Sequence, residues 1–207
     1  NYTNEELLQL IEENIDVLDE TALLRAATLV KENDDKVAIY KKAIEKYDSN
    51  TAQYNLGVTY IHMDELGKAK RAIEKAQADA DVYNALGVIA MREGDYNAAA
   101  EYFAYANNET SVENAAVIDV LDGEYKAAAQ KLAGKKGYNA ALVALLNGNN
   151  APAAALECEC PNAAYLRAVA AARQGNAAAV KSNLEAASKC EKLAERAAKD
   201  VEFAQYR

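Results

Sequence analysis

One stretch of this sequence repeats itself. Leu56, Gly57, Tyr60, Leu66, Ala69, Ile73 and Ala76 are answered by Leu86, Gly87, Ala90, Tyr96, Ala99, Phe103 and Ala106, each 30 residues further on. A fixed period of that size marks a chain built from identical supersecondary units. One such unit cannot bury its apolar face alone, so its neighbours must cover it. Within each unit the apolar residues recur at three- and four-residue spacing, first on one helix and then on a second. The small residues have a packing role. Gly57 and Gly87 admit the paired helix closely, and the alanines accept the bulky side chains of the neighbour.

The pattern extends outward through its turns. Gly94-Asp95-Tyr96-Asn97-Ala98-Ala99 returns 29 residues later as Gly123-Glu124-Tyr125-Lys126-Ala127-Ala128. Gly148-Asn149-Asn150-Ala151 follows 25 residues later, and Gly175-Asn176-Ala177-Ala178 another 27 later. Each glycine comes after a helical apolar run, where a left-handed terminal residue is needed. Five helix pairs are therefore expected, beginning near residues 51, 80, 110, 137 and 162. A degenerate pair precedes them, with Leu23, Leu24, Ala27 and Val30 on one helix and Val37, Tyr40, Ile44 and Tyr47 on the next. The last two spacings leave room only for short helices, which Ala-rich second helices suit. Thr3-Asn4-Glu5-Glu6 reads as a capping box that starts a helix bearing Leu7, Leu8, Ile11, Ile15 and Leu18. At the other end, Leu193, Ala197, Val201 and Ala204 share a helical spacing among charges of both signs. Pro152 and Pro161 fall near helix starts, where proline is tolerated. The expected architecture is all-α, a right-handed α-solenoid of about six antiparallel helix pairs. It forms one continuous array over 1–207, with a capping helix over 1–20, repeats over 21–190 and a second capping helix over 191–207.

These residues resemble the tetratricopeptide repeat. That family places a bulky residue, Leu-Gly and an aromatic on its first helix, and alanines around a larger residue on its second. Tyr83, Leu86, Gly87, Ala99, Phe103 and Ala106 match it, as do Leu56, Gly57, Tyr60, Ala69, Ile73 and Ala76. The resemblance is carried by residues 51–107; the period is shorter than the family's, about 34 residues, and its closing proline is missing. It implies that the first helices line a concave face. It also implies that the clamp for a C-terminal carboxylate is absent, because Val58 and Val88 stand where the clamp has asparagine.

Composition narrows the function classes. The net charge is −9, and residues 1–20 hold Glu5, Glu6, Glu12, Glu13, Asp16, Asp19 and Glu20 without a basic residue. That helix is either the solvated face of a cap or a docking surface for a basic partner. Nucleic acid is not an expected partner, since phosphate contacts need clustered Lys and Arg. The basic cluster Lys131, Lys135 and Lys136 suits a helix end. No stretch approaches the roughly 20 apolar residues that span a bilayer. His62 is the only histidine, which leaves no His-based metal cluster and no obvious triad. Cys158 and Cys160 lack the C-x-x-C spacing of zinc and redox sites. They read as small buried hydrophobes, or one of them bridges to Cys190, which would indicate an oxidising compartment. No catalytic residue, cofactor or metal is expected. The chain does not begin with Met and reads as a mature form or a part of a longer protein.

Function is then expected from the face of the first helices. Positions i, i+4 and i+7 give Tyr54, Val58 and Ile61; Asn84, Val88 and Met91; Glu113, Val117 and Val120; Tyr138, Leu142 and Leu145; Tyr165, Val169 and Ala172. His62, Arg92 and Arg173 border this mostly apolar stripe. Either a tight superhelix or a terminal helix covers it, or it is a groove for a peptide segment with apolar anchors. The candidate partner-binding residues are Tyr54, Val58, Ile61, His62, Asn84, Val88, Met91, Arg92, Val117, Val120, Tyr138 and Leu142. The expected function is a non-catalytic protein-interaction scaffold for a protein or peptide partner. A second possibility is a small-molecule or glycan site with Tyr54, Tyr138 and Tyr165 as platforms. Resemblance to short Ala- and Asn-rich bacterial repeats favours a periplasmic or cell-envelope setting over the cytoplasm.

Overall fold

A computed structural model describes residues 2–207. The described residues are helical throughout and contain no strand. They form two compact units, one ending at Asn114 and the other beginning at Ala115. The first holds α1 (Asn4–Asn14), a 3₁₀ turn (Ile15–Val17), α2 (Glu20–Leu29), α3 (Asn33–Tyr47), α4 (Asn50–His62), α5 (Leu66–Ile73), α6 (Ala80–Arg92) and α7 (Tyr96–Ala106). The division falls within α8 (Glu109–Leu121). The second holds α9 (Tyr125–Lys131), α10 (Tyr138–Leu146), α11 (Ala151–Ala154), α12 (Pro161–Arg173), α13 (Ala177–Ala187), α14 (Glu191–Lys199) and a 3₁₀ segment (Val201–Tyr206). The first helices of the five expected pairs begin at residues 50, 80, 109, 138 and 161, within a residue or so of the positions that the turn spacing predicts.

Local chemistry sets these boundaries. At the start of α1, Glu6 N–H donates to Thr3 Oγ1, and Thr3 N–H donates back to the Glu6 carboxylate at 2.7 Å. Asp19, Ser49, Asp79, Asp95 and Asn176 each accept from the backbone three residues on, satisfying a donor that the helix leaves free. Where the first helices end, Gly94, Gly123, Gly148 and Gly175 have φ of 84°, 80°, 85° and 73°. The following N–H then reaches back to Ala90, Asp119, Ala144 and Ala171 at 2.7–3.0 Å. Asp64 (φ 59°) fills the same role before α5 and sends Glu65 N–H to Tyr60 O. A search for glycine passes over that turn, because a short polar side chain also tolerates the left-handed region. Pro152 and Pro161 stand in the first turns of α11 and α12, and α11 is only 4 residues long.

Packing within the first unit follows the repeat. Leu56, Tyr60, Ala69 and Ile73 are buried with Leu86 and Ile89 in one core that continues back to Leu23, Ile39 and Leu7. Gly57 and Gly87 are the points of closest approach: a Cβ at Gly57 would lie 2.5 Å from Ile73 Cδ1, and one at Gly87 2.4 Å from Phe103 Cε1. In the second unit Ala141, Leu145, Ala164, Tyr165, Val169, Val180 and Phe203 form one core, and Ala116, Ala128, Leu132 and Val143 a smaller one.

Two readings of the termini change. The helical spacing through Val201 and Ala204 is not used, since α14 ends at Lys199 and Val201 is 85% exposed. Asp200 turns the chain by accepting from Glu202 N–H at 3.0 Å, and this brings Phe203 inward instead. Neither reading of the cysteines holds: Cys158 is exposed, Cys160 and Cys190 are only half-buried, and no bridge forms to Cys190. Cys158 pairs with Cys160, and Cys190 is free at the N-cap of α14. Two residues of separation put the paired sulfurs together on one bend, whereas Cys190 stands at the start of α14, beyond both α12 and α13. The case for an oxidising compartment that a Cys190 bridge would have made falls with it.

Candidate partner-binding face

In the first unit α4 and α6, which carry the first of the expected residues, pack against each other. Tyr54, Val58 and Val88 are half-buried and rest on the core, Met91 is half-buried, and His62 is exposed. Burial, with the nearby carboxylates of Asp81 and Asp79, holds the Tyr54 phenol above its ordinary pKa. Asn84 has a structural partner, accepting from Asn114 Nδ2 at 2.9 Å across neighbouring first helices. Ile61 differs from expectation: it is a buried core residue. It follows Tyr60 where α6 crosses α4, and Arg92 Nη1 donates to its carbonyl at 2.8 Å. Arg92 thus ties two repeats together as well as bordering the face.

The second unit gathers Val117, Val120 and Leu142 around an apolar pocket of about 60 Å³, closed by Ala116, Leu132, Asn139 and Val143. Tyr138 lies at 40% exposure, and its phenol is raised by burial and lowered in part by Arg196. Tyr165, Val169 and Ala172 behave differently. The chain's own C-terminal segment covers them. Phe203 meets the Tyr165 ring edge-on with centroids 5.6 Å apart, and Tyr165 OH donates to Asp200 Oδ2 at 2.5 Å. Arg196 stacks over the same ring at 5.4 Å, and Tyr206 OH donates to Ala172 O at 2.9 Å. Tyr165 is therefore not an open platform, which removes one of three tyrosines from the glycan-site possibility.

Several connecting residues carry no signal in the repeat pattern. Arg173 Nη1 donates to Leu145 O at 2.8 Å, as Arg92 does to Ile61 O, and its Nη2 meets the Glu202 carboxylate at 2.6 Å. Arg167 joins α12 to Asn183 of α13 and to the carbonyls of Leu156 and Cys158. A periodicity search finds apolar positions, and these arginines act through backbone carbonyls that any residue supplies. Lys131 of the basic cluster is paired with Asp119. Asp16 of the acidic N-terminal stretch is paired with Lys42 at 2.6 Å, which holds its carboxyl below the usual range. Among the described residues no helix is long and apolar enough to cross a membrane, and no cluster of potential metal ligands is found.

With this geometry in hand, comparison with known proteins gives the class. No family model matches the sequence, and no curated protein matches it. Solved structures do match. One is a tetratricopeptide repeat protein from Parabacteroides merdae ATCC 43184, with a TM-score of 0.66 at 15% identity over 93% of this chain and 88% of the other. A second is the APC/C hetero-tetramer Cut9-Hcn1, with a TM-score of 0.73 at 11% identity; the match covers 98% of this chain but only 45% of that one. A third is PilW, described as a widely conserved type IV pilus biogenesis factor, with a TM-score of 0.53 at 17% identity over 97% of this chain and 90% of the other. At these identities the likeness is one of fold. The chain is an all-α helical repeat with the tetratricopeptide-like fold, as the Leu-Gly and Ala positions of residues 51–107 imply.

Proposed function

We propose that this chain is a non-catalytic protein-interaction scaffold that takes a peptide segment of a partner on the face of its first helices. The observation that carries this reading is supplied by the chain itself. Its segment Val201–Tyr206 lies against α12 with one aromatic anchor, Phe203, on Tyr165, and the preceding Asp200 puts its carboxylate on the tyrosine hydroxyl. This is the chemistry of a bound peptide: an apolar anchor leaves water and a few polar groups set the register. The same positions on the other first helices are half-buried and apolar, namely Val58, Val88 and Met91 in one unit and Val117, Val120 and Leu142 in the other. Tyr54, Asn84, His62, Arg92 and Tyr138 supply polar contacts at their edges. Ile61 contributes from beneath, as part of the core. A likeness of fold to PilW, a pilus biogenesis factor, supports an assembly of the bacterial cell envelope as the setting.

The test is selection of peptides from a random display library on the parent chain, followed by binding to Val88→Glu with Met91→Glu, and separately to Val120→Glu. Peptides carrying an aromatic or aliphatic anchor should be enriched, and one of the charge variants should weaken them by about tenfold or more. Enriched peptides that bind both variants as they bind the parent would defeat the reading. Fractionation of the native host tests the setting, with recovery in the cytoplasm alone as the contrary result.

A further inference from the structure

We infer that the cleft between α3 and α5 is a second docking site, shaped for an acidic segment of a partner protein. It is separate from the stripe on the first helices. Gln53, Leu56 and Tyr60 face it from α4, whereas Tyr54 and Val58 lie roughly a third of a turn away on the same helix. The cleft holds about 400 Å³, with Leu56 and Tyr60 as its apolar floor.

Two independent observations carry the inference. The first is that the cleft opens at one repeat and closes at the next. Its equivalent 30 residues on, under Leu86 and Ala90, measures about 70 Å³. Ala72 lines the open cleft, and Tyr102 stands at the matching position of the narrow one. The space is thus made by a small residue where the next repeat carries a ring. The second is charge. Lys41, Lys68, Arg71 and Lys75 line the cleft against the single carboxylate of Glu45, in a chain whose net charge is −9. Lys68 is engaged by Glu65 at 2.6 Å and lies over the Tyr60 ring. Glu45 is drawn to Lys42 at 3.6 Å. Among the described residues Lys41, Arg71 and Lys75 form no ion pair. Three cations without a carboxylate, around an apolar floor, match a segment with acidic residues flanking one apolar anchor. They are too few and too localised for the tracked phosphates of a nucleic acid. The basic run over 68–75 supplies Lys68, Arg71 and Lys75, but Lys41 and the apolar floor join them only when α3 and α5 flank α4.

The experiment titrates isotope-labelled full chain with a short synthetic peptide of glutamates flanking one phenylalanine. A lysine-for-glutamate counterpart and an oligothymidylate serve as comparison arms. The glutamate peptide should shift the amides around Leu56, Tyr60 and Ala72, and its affinity should fall as salt is raised. Arg71→Glu, an exposed change, should weaken it by about tenfold. Ala72→Tyr should block it without altering charge. Equal binding of the two peptides, shifts confined to α4 and α6 around Val58 and Val88, or an unchanged affinity in Arg71→Glu would overturn the proposal. Tighter binding of the oligothymidylate, or self-association of the chain that Arg71→Glu abolishes, would equally overturn it by assigning the cleft another occupant.

Discussion

A Cβ placed on Gly87 would stand 2.4 Å from Phe103 Cε1 and 2.6 Å from its Cδ1, and the ring is fully buried. A planar ring held on all sides cannot swing aside. Gly87→Leu should therefore cost about 1–3 kcal/mol or more by overpacking, read as a lowered melting temperature. A variant melting like the parent would show that α6 and α7 can part at this contact. Tyr165 makes a second prediction, through pH. Burial first, then its bond to Asp200 and that carboxylate's charge, raises the phenol above its ordinary value of 10.0, while Arg196 opposes. The folded chain thus keeps a proton that the unfolded chain releases near pH 10. The resulting stability is complete below that pH and is lost as pH rises further, towards the folded value. Tyr165→Phe should flatten this alkaline decline in a melting series, at a cost of about 1 kcal/mol at neutral pH from the lost hydrogen bond. An alkaline slope identical to the parent's would place the sensitivity elsewhere.

Elements in this chain begin on capping side chains and end on left-handed residues, and these are separable. Thr3 and Glu6 satisfy donors at opposite ends of the same first turn of α1. Thr3→Ala should cost about 1 kcal/mol and should speed amide exchange in α1 before it affects α4 or α6. Arg92 and Arg173 act between elements, each on the carbonyl of an earlier first helix. Arg173 also holds Glu202, with both groups about one-third exposed or less, so it fastens the C-terminal segment too. Arg173→Met should cost more than Arg92→Met, on the order of 1–2 kcal/mol against about 1 or less. It should also free Val201–Tyr206 to exchange, and chemical denaturation with exchange on both variants compares them.

At the scale of the whole molecule, the question is whether the first-helix stripe is surface or core. Val88 and Met91 are half-buried, while Ile89 and Ala90 between them are buried. A charge at Val88 or Met91 keeps access to water, so Val88→Glu and Met91→Glu should leave the melting temperature nearly that of the parent, within about 1 kcal/mol. A large drop would make the stripe core and move the bound surface to the α3–α5 cleft or to acidic α1. The C-terminal segment already answers the question at one place. Over Tyr165, Val169 and Ala172 the stripe is covered, whereas Val58, Val88 and Val120 are half-buried.

Helix order and the starts of the five pairs were readable from sequence because each depends on near neighbours. A Leu-Gly step, a left-handed glycine and a capping side chain act within a few residues, and a period of 30 copies them along the chain. The proposed stripe rests on the same kind of signal, since helical spacing alone puts Tyr54 and Val58, and likewise Val88 and Met91, on one side of their helices. What sequence could not decide depends on groups far apart in the chain. Ile61 is core because α6 crosses α4, and Tyr165 is covered because Asp200 turns Phe203 back onto α12. Cys158 pairs with its near neighbour and leaves Cys190 free. The basic cleft exists only where α3 and α5 flank α4 and Ala72 leaves a gap. Periodicity specifies which face of each helix is apolar; only packing decides which part of that face another segment reaches first.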